Sequence, residues 1–469
     1  MTSSPAATRS ARSFWVLGLS LAGALALTAA VLGVIGARRG PDLISATISV
    51  ERAVAAGGQP LVLQGRQPLE EVTTPQVTIS PAADFTVETQ EAQIVLRFAR
   101  PLAYSTDYAV TITDVRSRHT HVPSQWSYSF TTPGYAVYSL VSRGPGSFGE
   151  DDQVLRTSPD GDPVPVLATP GIESYTVVSG MVVAVVREND LETRLVASAG
   201  AEADLMTLDT PAGTAIGLLA GSAEQGMVGY TVVGAESGTD RFYDNTLFLQ
   251  DMTDVAKPPQ EITQADGSEL RVIDWGFVPG TRSLVLQDEE GQFFLTGLSP
   301  GSALSPLGIH DQLLGFLPGT ATLVVLKGTD EVMLDLALGK TTTLPPPSDA
   351  GDTDILAGQR TMISPAEWVQ QFDDLNYADE VTSITSRLEH TLDGKAETVA
   401  TIPPDLGRLL DSGVSGNGQY AWTQILDVSA PRDDLTSGAT DNSVTVVIDL
   451  ATGESLFAVP GAHPLWVTE

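Results

Sequence analysis

The chain has 469 residues, 42% of them apolar, with 58 Asp and Glu against 25 Lys and Arg and no cysteine. That apolar share supports packed cores and excludes wholesale disorder, and the length asks for several domains or one large repeat array. A formal charge of −33 opposes any sequence-independent grip on nucleic acid, which depends on Lys and Arg neutralising phosphates. Zero Cys removes disulfides, thiolate zinc sites and cysteine nucleophiles together.

The charge is unevenly spread. Residues 1–40 carry four arginines (Arg9, Arg12, Arg38, Arg39) and no acid, which leaves 21 basic and 58 acidic residues for the remainder. Between them runs Phe14–Gly36, 23 residues without a charge. At 1.5 Å per residue this is roughly 34 Å of helix, enough for a hydrocarbon core of about 30 Å, and too long for the ~7–15-residue core of a cleaved signal peptide. The segment predicts a retained transmembrane helix over 14–36, with Trp15 as an interfacial anchor. Two arginines flank each end, so the positive-inside count is a tie. Residues 1–13 are assigned to the cytoplasm because the chain beyond the span has an extracytoplasmic character, giving a single-pass protein of the cell membrane with its bulk outside.

Residues 43–133 read as short strands separated by turns: 44–50, 60–64, 76–80, 93–98, 108–113 and 125–131, rich in Val, Ile, Thr and aromatics. Ile94, Leu96 and Phe98 alternate onto one face, as do Trp126, Tyr128 and Phe130. Six or seven strands in about 90 residues predict an Ig-like β-sandwich. The segments Val77-x-Ile79-x-Pro81, Leu102-x-x-x-Thr106-x-Tyr108-x-Val110-x-Ile112 and Trp126-Ser-Tyr-Ser-Phe130-Thr-Thr-Pro133 resemble the bacterial Ig-like domain of S-layer-type surface proteins. The resemblance implies an extracytoplasmic spacer or adhesion module without catalytic residues. It departs from that family where a Gly-rich hairpin is replaced by Arg116-Ser-Arg118-His119-Thr-His121-Val-Pro123. Alternation along a strand would give His119 and His121 one face, as two metal ligands require, but no further ligand stands nearby in the sequence and a solvated hairpin is the expectation.

Residues 134–469 contain 15 basic and 49 acidic residues and an internal repeat. Phe277-Val-Pro-Gly-Thr-Arg-Ser-Leu-Val-Leu286 aligns with Phe316-Leu-Pro-Gly-Thr-Ala-Thr-Leu-Val-Val325 at a spacing of 39. Each unit reads as strand, Pro-Gly turn, strand, tight turn (Glu290-Gly291 or Thr329-Asp330) and third strand. Units at this period predict a roughly seven-bladed β-propeller, near 135–168, 172–210, 215–264, 270–308, 312–346, 353–403 and 408–462. The segment His463-Pro-Leu-Trp-Val-Thr-Glu469 reads as the opening strand of another unit and is expected to pair into the first blade, closing the ring and removing its edges. Ser158-Pro-Asp-Gly161, Ser415-Gly-Asn-Gly418 and Asp449-Leu-Ala-Thr-Gly453 resemble turns of the WD40/TolB-type propeller repeat, without its Gly-His and Trp-Asp signatures. That resemblance implies a fold and no function. One segment breaks the pattern: the capping box Ser364-Pro-Ala-Glu367, followed by Trp368, Phe372 and Leu375 at helical spacing, predicts a short helix inserted near 365–376.

Catalytic signatures are scarce. There is no Gly-x-Ser-x-Gly elbow, Walker loop, His-Glu-x-x-His helix or dinucleotide fingerprint. Five histidines (His119, His121, His310, His390, His463) leave few general bases near neutral pH. The acidic clusters Glu150-Asp-Asp152, Asp288-Glu-Glu290, Asp373-Asp374 and Asp379-Glu380 fall in expected turns. Asp160-Gly-Asp162 and Asp352-Thr-Asp354 alternate oxygen ligands as calcium requires, but neither continues into a twelve-residue loop with a distal Glu. No catalytic, cofactor-binding or metal residue is assigned, and no cofactor. The expectation is an all-β, membrane-anchored binding or scaffold protein whose Ig-like spacer presents a non-enzymatic propeller to a protein or carbohydrate ligand of the envelope, with no nucleic-acid partner. The rivals are a propeller hydrolase or lyase using carboxylates at the channel mouth, and an envelope-assembly or sensory subunit whose Gly18, Ala22, Ala26 face packs on another helix.

Overall fold

The computed structural model describes residues 40–119, 121–142, 151–189, 191–200, 203–346, 354–378, 381–426 and 443–469. The expected span at 14–36 lies outside them. Among the described residues no helix is long and apolar enough to cross a membrane. The fold is all-β, in two compact units.

The first unit comprises residues 40–49, Gly58–Ala99 and Asp107–Thr131. Its strands are β1 (Leu43–Thr47), β2 (Pro60–Gly65), β3 (Val77–Ser80), β4 (Phe85–Gln90), β5 (Gln93–Phe98), β6 (Asp107–Arg116) and β7 (Pro123–Thr131). They form a four-stranded sheet β1-β2-β5-β4 and a three-stranded sheet β3-β6-β7. The alternating apolar residues meet between these sheets: Leu61, Leu63, Ile94, Leu96 and Phe98 from one, Ile79, Val110, Ile112, Trp126 and Phe130 from the other, all buried. Phe98 meets Phe130 edge-on at 6.4 Å. The Trp126 indole donates to the Pro41 carbonyl at 2.7 Å. A Cβ at Gly65 would stand 2.8 Å from that ring, so β2 approaches the indole only without a side chain.

The second unit comprises Val50–Gly57, Arg100–Thr106 and Thr132–Glu469. Its described residues form seven four-stranded antiparallel sheets, the arrangement of a β-propeller. Six are built from consecutive strands spanning 172–207, 215–261, 274–309, 312–343, 355–402 and 408–460. The remaining sheet, counted as the first, joins Tyr135–Val141, Asp152–Thr157 and Val164–Thr169 to the strand Ala462–Thr468, which pairs antiparallel with Tyr135–Val141. The cores lie between successive sheets. Leu140 and Val154 of the first pack with Val182 and Val196 of the second, Val183 and Leu195 with Val228 and Tyr230 of the third, and the pattern continues around the ring. Strands covered on both faces need continuous apolar runs rather than alternation, hence Val182-Val-Ala-Val-Val186, every residue of which is buried.

The helix expected near 365–376 is absent. Ile355–Ser364 and Glu367–Ala378 are strands of the sixth sheet, paired from Ser364↔Glu367 outward around a turn at Pro365-Ala366. Pro fixes a φ near −65°, which suits the first residue of a helix and the second residue of a β-turn equally. The partner strand Val381–Leu392 decides between them, because its ladder takes up the backbone groups that an isolated helix would have to satisfy alone. The helix that does form, α1 (Val50–Ala55), begins at a residue the sequence assigns to strand; its Ala-rich run stops at Gly57-Gly58. One turn also sits a residue earlier than its spacing implies: Lys327 pairs with Asp330, leaving Gly328-Thr329 as the loop, with Gly328 at φ +63°.

Candidate functional site at the axial end of the ring

Each of the six consecutive sheets begins with its innermost strand: Ile172–Val178, Ala215–Ser222, Asp274–Phe277, Gln312–Phe316, Ile355–Ser364 and Arg408–Val414. Ala462–Thr468 takes this place in the first sheet. These strands neighbour one another around the axis, from Ala462–Thr468 to Ile172–Val178, Ala215–Ser222, Asp274–Phe277 and Gln312–Phe316 in turn. Because every sheet is built in the same sense, the starts of the inner strands gather at one end of the ring.

That end has a distinct chemistry. Near their starts the inner strands carry irregularities in register, between Ile172/Ser174, Ile216/Leu219, Leu313/Gly315, Ala357/Arg360, Leu409/Asp411 and Ala462/Leu465. A bulge re-aims side chains away from the pleat. Beside or within the irregular segments stand aliphatic residues open to solvent: Leu218 at 46% exposure, Leu356 at 53% and Leu410 at 40%, joined by Ile273 at 42% just before its strand. Two aspartates accompany them. Asp274 accepts the Trp275 N–H at 2.8 Å, and Asp411 accepts the Ser412 N–H at 2.8 Å.

Burial raises the carboxyl of Asp274 above the usual aspartate range, against the opposing pull of the Trp275 and Leu313 N–H groups. Asp411 is open to water, yet the surrounding strands desolvate it and raise it likewise, against Ser412 N–H and the charge of His463. Water reaches these carboxylates, but protein replaces most of the solvent that would stabilise their charge.

The opposite end is partly covered. Segments 50–57 and 100–106 of this unit lie on the turns that follow the inner strands of the fifth, sixth and seventh sheets. Gly57 N–H donates to the Gly319 carbonyl at 3.0 Å, Asn417 Nδ2 to the Leu102 carbonyl at 3.1 Å, and Tyr104 N–H to Gln419 Oε1 at 2.8 Å. Arg100 pairs with Glu367 at 2.9 Å. Tyr104, Tyr135 and Tyr420 pack in succession as tilted ring pairs with centroids 5.1 and 5.0 Å apart, and burial pushes the Tyr104 hydroxyl up to about 12.

Most residues singled out from sequence serve the architecture. Asp152 is buried and accepts the N–H groups of Gly171 and Ile172 at 2.7 and 2.9 Å. Asp288 caps its turn through Glu290 and Gln292 N–H, and Glu289 pairs with Arg271. Asp373 accepts the Ser386 hydroxyl at 2.6 Å and Arg408 at 3.3 Å, and Asp374 pairs with Arg387 at 3.1 Å. Asp160 and Asp162 are exposed in a turn; Asp379-Glu380, Glu150 and Asp352 lie outside the described residues. His121 adopts φ +51° and bonds Glu70, so the alternation that would have aligned it with His119 is broken. His390 bonds Glu367 at 3.2 Å, His463 stands near Asp411, and His310 lines a separate cleft. Among the described residues no group of three His, Asp or Glu is placed to hold a metal.

The axial residues themselves escape a reading of the sequence alone, although a signal exists. Ile273-Asp274-Trp275-Gly276 and Leu410-Asp411-Ser412-Gly413 share an aliphatic-Asp-x-Gly pattern, at equivalent places counted back from the Phe277↔Leu284 and Val414↔Ala421 pairs that lead into the turns.

No protein-family model and no curated protein matches the chain. Among solved structures it is similar to a protein of Bacteroides fragilis provisionally described as a 6-phosphogluconolactonase, at 11% identity and TM-score 0.41 over 71% of this chain and 98% of that one. A Lactobacillus plantarum protein is similar at 14% identity and TM-score 0.42, covering 72% and 100% of the two chains. An auxiliary nutrient binding protein from Bacteroides ovatus is similar at 9% identity and TM-score 0.34, covering 92% and 99%. At these values the propeller arrangement rests on the strand pairing described above, and site and ligand rest on this chain's own residues.

Proposed function

We propose that this protein is a membrane-tethered, extracytoplasmic binding protein whose propeller engages a protein partner at the axial end where the inner strands begin. The observation that carries the reading is that Leu218, Ile273, Leu356 and Leu410, all exposed, share one end of the ring with the desolvated Asp274 and Asp411. Exposed aliphatic residues clustered with a few fixed polar groups are the composition of a recognition surface. Carboxylates held in a desolvating setting gain most from a cationic partner, so the segment recognised carries a Lys or Arg beside an apolar side chain.

In this reading residues 14–36 anchor the chain and the first unit is an Ig-like spacer. The order β1-β2-β5-β4 opposite β3-β6-β7 supports the latter, being the ABED and CFG order of constant-type immunoglobulin sandwiches. The uncharged length of 14–36 supports the former.

The test is site-specific photo-crosslinking in intact cells, combined with protease shaving from outside. A crosslinker at Leu356 or Leu410 is expected to capture a discrete partner that the same group at Leu338, exposed on a hairpin of the fifth sheet, does not, and external protease is expected to remove both units. Equal capture at all three positions, or protection of residues 134–469 from external protease, overturns it.

A further inference from the structure

A second feature lies away from the axis, where the outer edge of the fourth sheet meets the fifth. There a cleft of about 250 Å3 lies between Gly308 and His310 on one side and Lys327, Val332 and Leu334 on the other. Val332 faces Thr343 and Leu334 faces Thr341 across adjacent strands, so one face of the fifth sheet supplies a buried aliphatic floor and an open hydroxyl edge.

His310 is the unusual member. It is 7% exposed, yet neither ring nitrogen has a hydrogen-bond partner. Burial lowers its pKa below the usual histidine range, so the ring favours its neutral form; the Leu307 carbonyl nearby opposes this, but lies outside hydrogen-bond geometry. The backbone around it is firmly set. His310 N–H donates to the Gly291 carbonyl at 3.0 Å, its own carbonyl accepts Gln287 Nε2 at 3.0 Å, and Phe293 meets the ring edge-on at 5.5 Å. Buried polar groups are almost always paired, and leaving one unpaired costs about 1–3 kcal/mol. A fixed ring with two unsatisfied nitrogens at the wall of a cleft therefore calls for a ligand.

Two further observations define its chemistry. At Gly308, φ +109°, a Cβ would stand in contact with the imidazole, 3.4 Å from His310 Nε2. Any side chain at 308 would fill the approach to that nitrogen. Lys327 borders the same cleft, and among the described residues no carboxylate forms an ion pair with it; Asp330 stands opposite it across the hairpin, and Asp311 accepts Gly328 N–H at 2.5 Å.

We propose that this cleft binds a small monocarboxylate. The carboxylate accepts one hydrogen bond from the His310 ring and the charge of Lys327, and its short aliphatic body rests on Val332 and Leu334. The volume falls just below the ~300–1,000 Å3 of drug-sized pockets, so the ligand is a small one. This site is independent of the axial surface.

The test uses the full-length protein in detergent, labelled at histidine Cε1, with acetate, propionate and butyrate as probes and methylammonium and acetamide as controls. The resonance lost in His310→Phe identifies His310. A saturable shift of that resonance at roughly millimolar carboxylate or below is expected, weakened about tenfold in Lys327→Met, a surface change that leaves the fold intact. No saturable shift, an equal response to acetamide or methylammonium, or an unchanged affinity in Lys327→Met overturns the proposal.

Discussion

The hydroxyl of Tyr175 donates to the backbone carbonyl of His463 at 2.7 Å, joining the inner strand of the second sheet to the strand that completes the first. Tyr175 is buried, and burial raises its hydroxyl well above the ordinary tyrosine range, so it stays a neutral donor across the accessible pH. Glu469 N–H donates to the Gly134 carbonyl at 3.0 Å on the other side of that strand. Tyr175→Phe leaves the carbonyl without its donor while keeping the ring, and is expected to lower stability by about 1 kcal/mol. Urea unfolding monitored by tryptophan fluorescence checks this; an unchanged midpoint would show that His463 finds another donor.

Arg360 is buried in the sixth sheet, with its guanidinium 2.7 Å from Glu331 of the fifth and 5.4 Å over the Trp368 ring. Removing one partner of such a pair leaves a buried charge uncompensated. Glu331→Ala is expected to destabilise by about 3–5 kcal/mol, whereas Arg360→Met combined with Glu331→Leu costs much less, because apolar packing substitutes for a desolvated pair. Denaturant titration of the single and double variants measures the difference. A double variant weaker than Glu331→Ala would refute the argument.

Glu367 is held below the usual glutamate range, first by its hydrogen bond to His390 and then by Arg100, against the opposing effect of burial. A depressed carboxylate pKa gives stability that is present above the unfolded-state value near 4.5 and is lost as pH falls through the folded-state value. The stability gap between wild type and Glu367→Gln is therefore expected to be steady from neutral pH to about pH 5 and to close below it. Unfolding free energies measured at pH 7, 5, 4 and 3 test the sign. A gap that widens on acidification contradicts it.

Asp274 and Asp411 carry the opposite shift, and the consequence is opposite. A raised carboxylate pKa means that the folded state resists ionisation, so each aspartate lowers stability at neutral pH, and the penalty disappears as pH falls below its unfolded-state value. Asp274→Asn and Asp411→Asn keep an oxygen for the Trp275 and Ser412 N–H groups and are expected to raise the melting temperature at pH 7, while reducing crosslinking at Leu410. Higher stability with undiminished crosslinking would detach these aspartates from binding.

The features legible in the sequence are regularities that repeat. The 39-residue offset between Phe277-Val-Pro-Gly and Phe316-Leu-Pro-Gly corresponds to the same place in two successive sheets, each phenylalanine ending an inner strand ahead of its turn. The tail at 463–469 reads as an opening strand, and it pairs with Tyr135–Val141. Strand alternation and turn residues are local, so they survive without knowledge of neighbours. The segment after Ser364 shows where local reading stops: Pro365 and Glu367 satisfy the geometry of a helix start, and the ladder with residues up to Leu392 overrides it.

The sequence by itself determined the all-strand character, the repeat spacing and the acidic balance, because each follows from residue types in order along the chain. Only the tertiary structure decided which carboxylates stand apart from the fifty-eight, since Asp152 and Asp411 differ not in type but in what surrounds them. The one is taken up by two N–H groups of a neighbouring strand, and the other is left at an end of the ring where protein displaces water without replacing all of its hydrogen bonds. Desolvation is a property of the space around a group, and that space is made by residues distant in sequence.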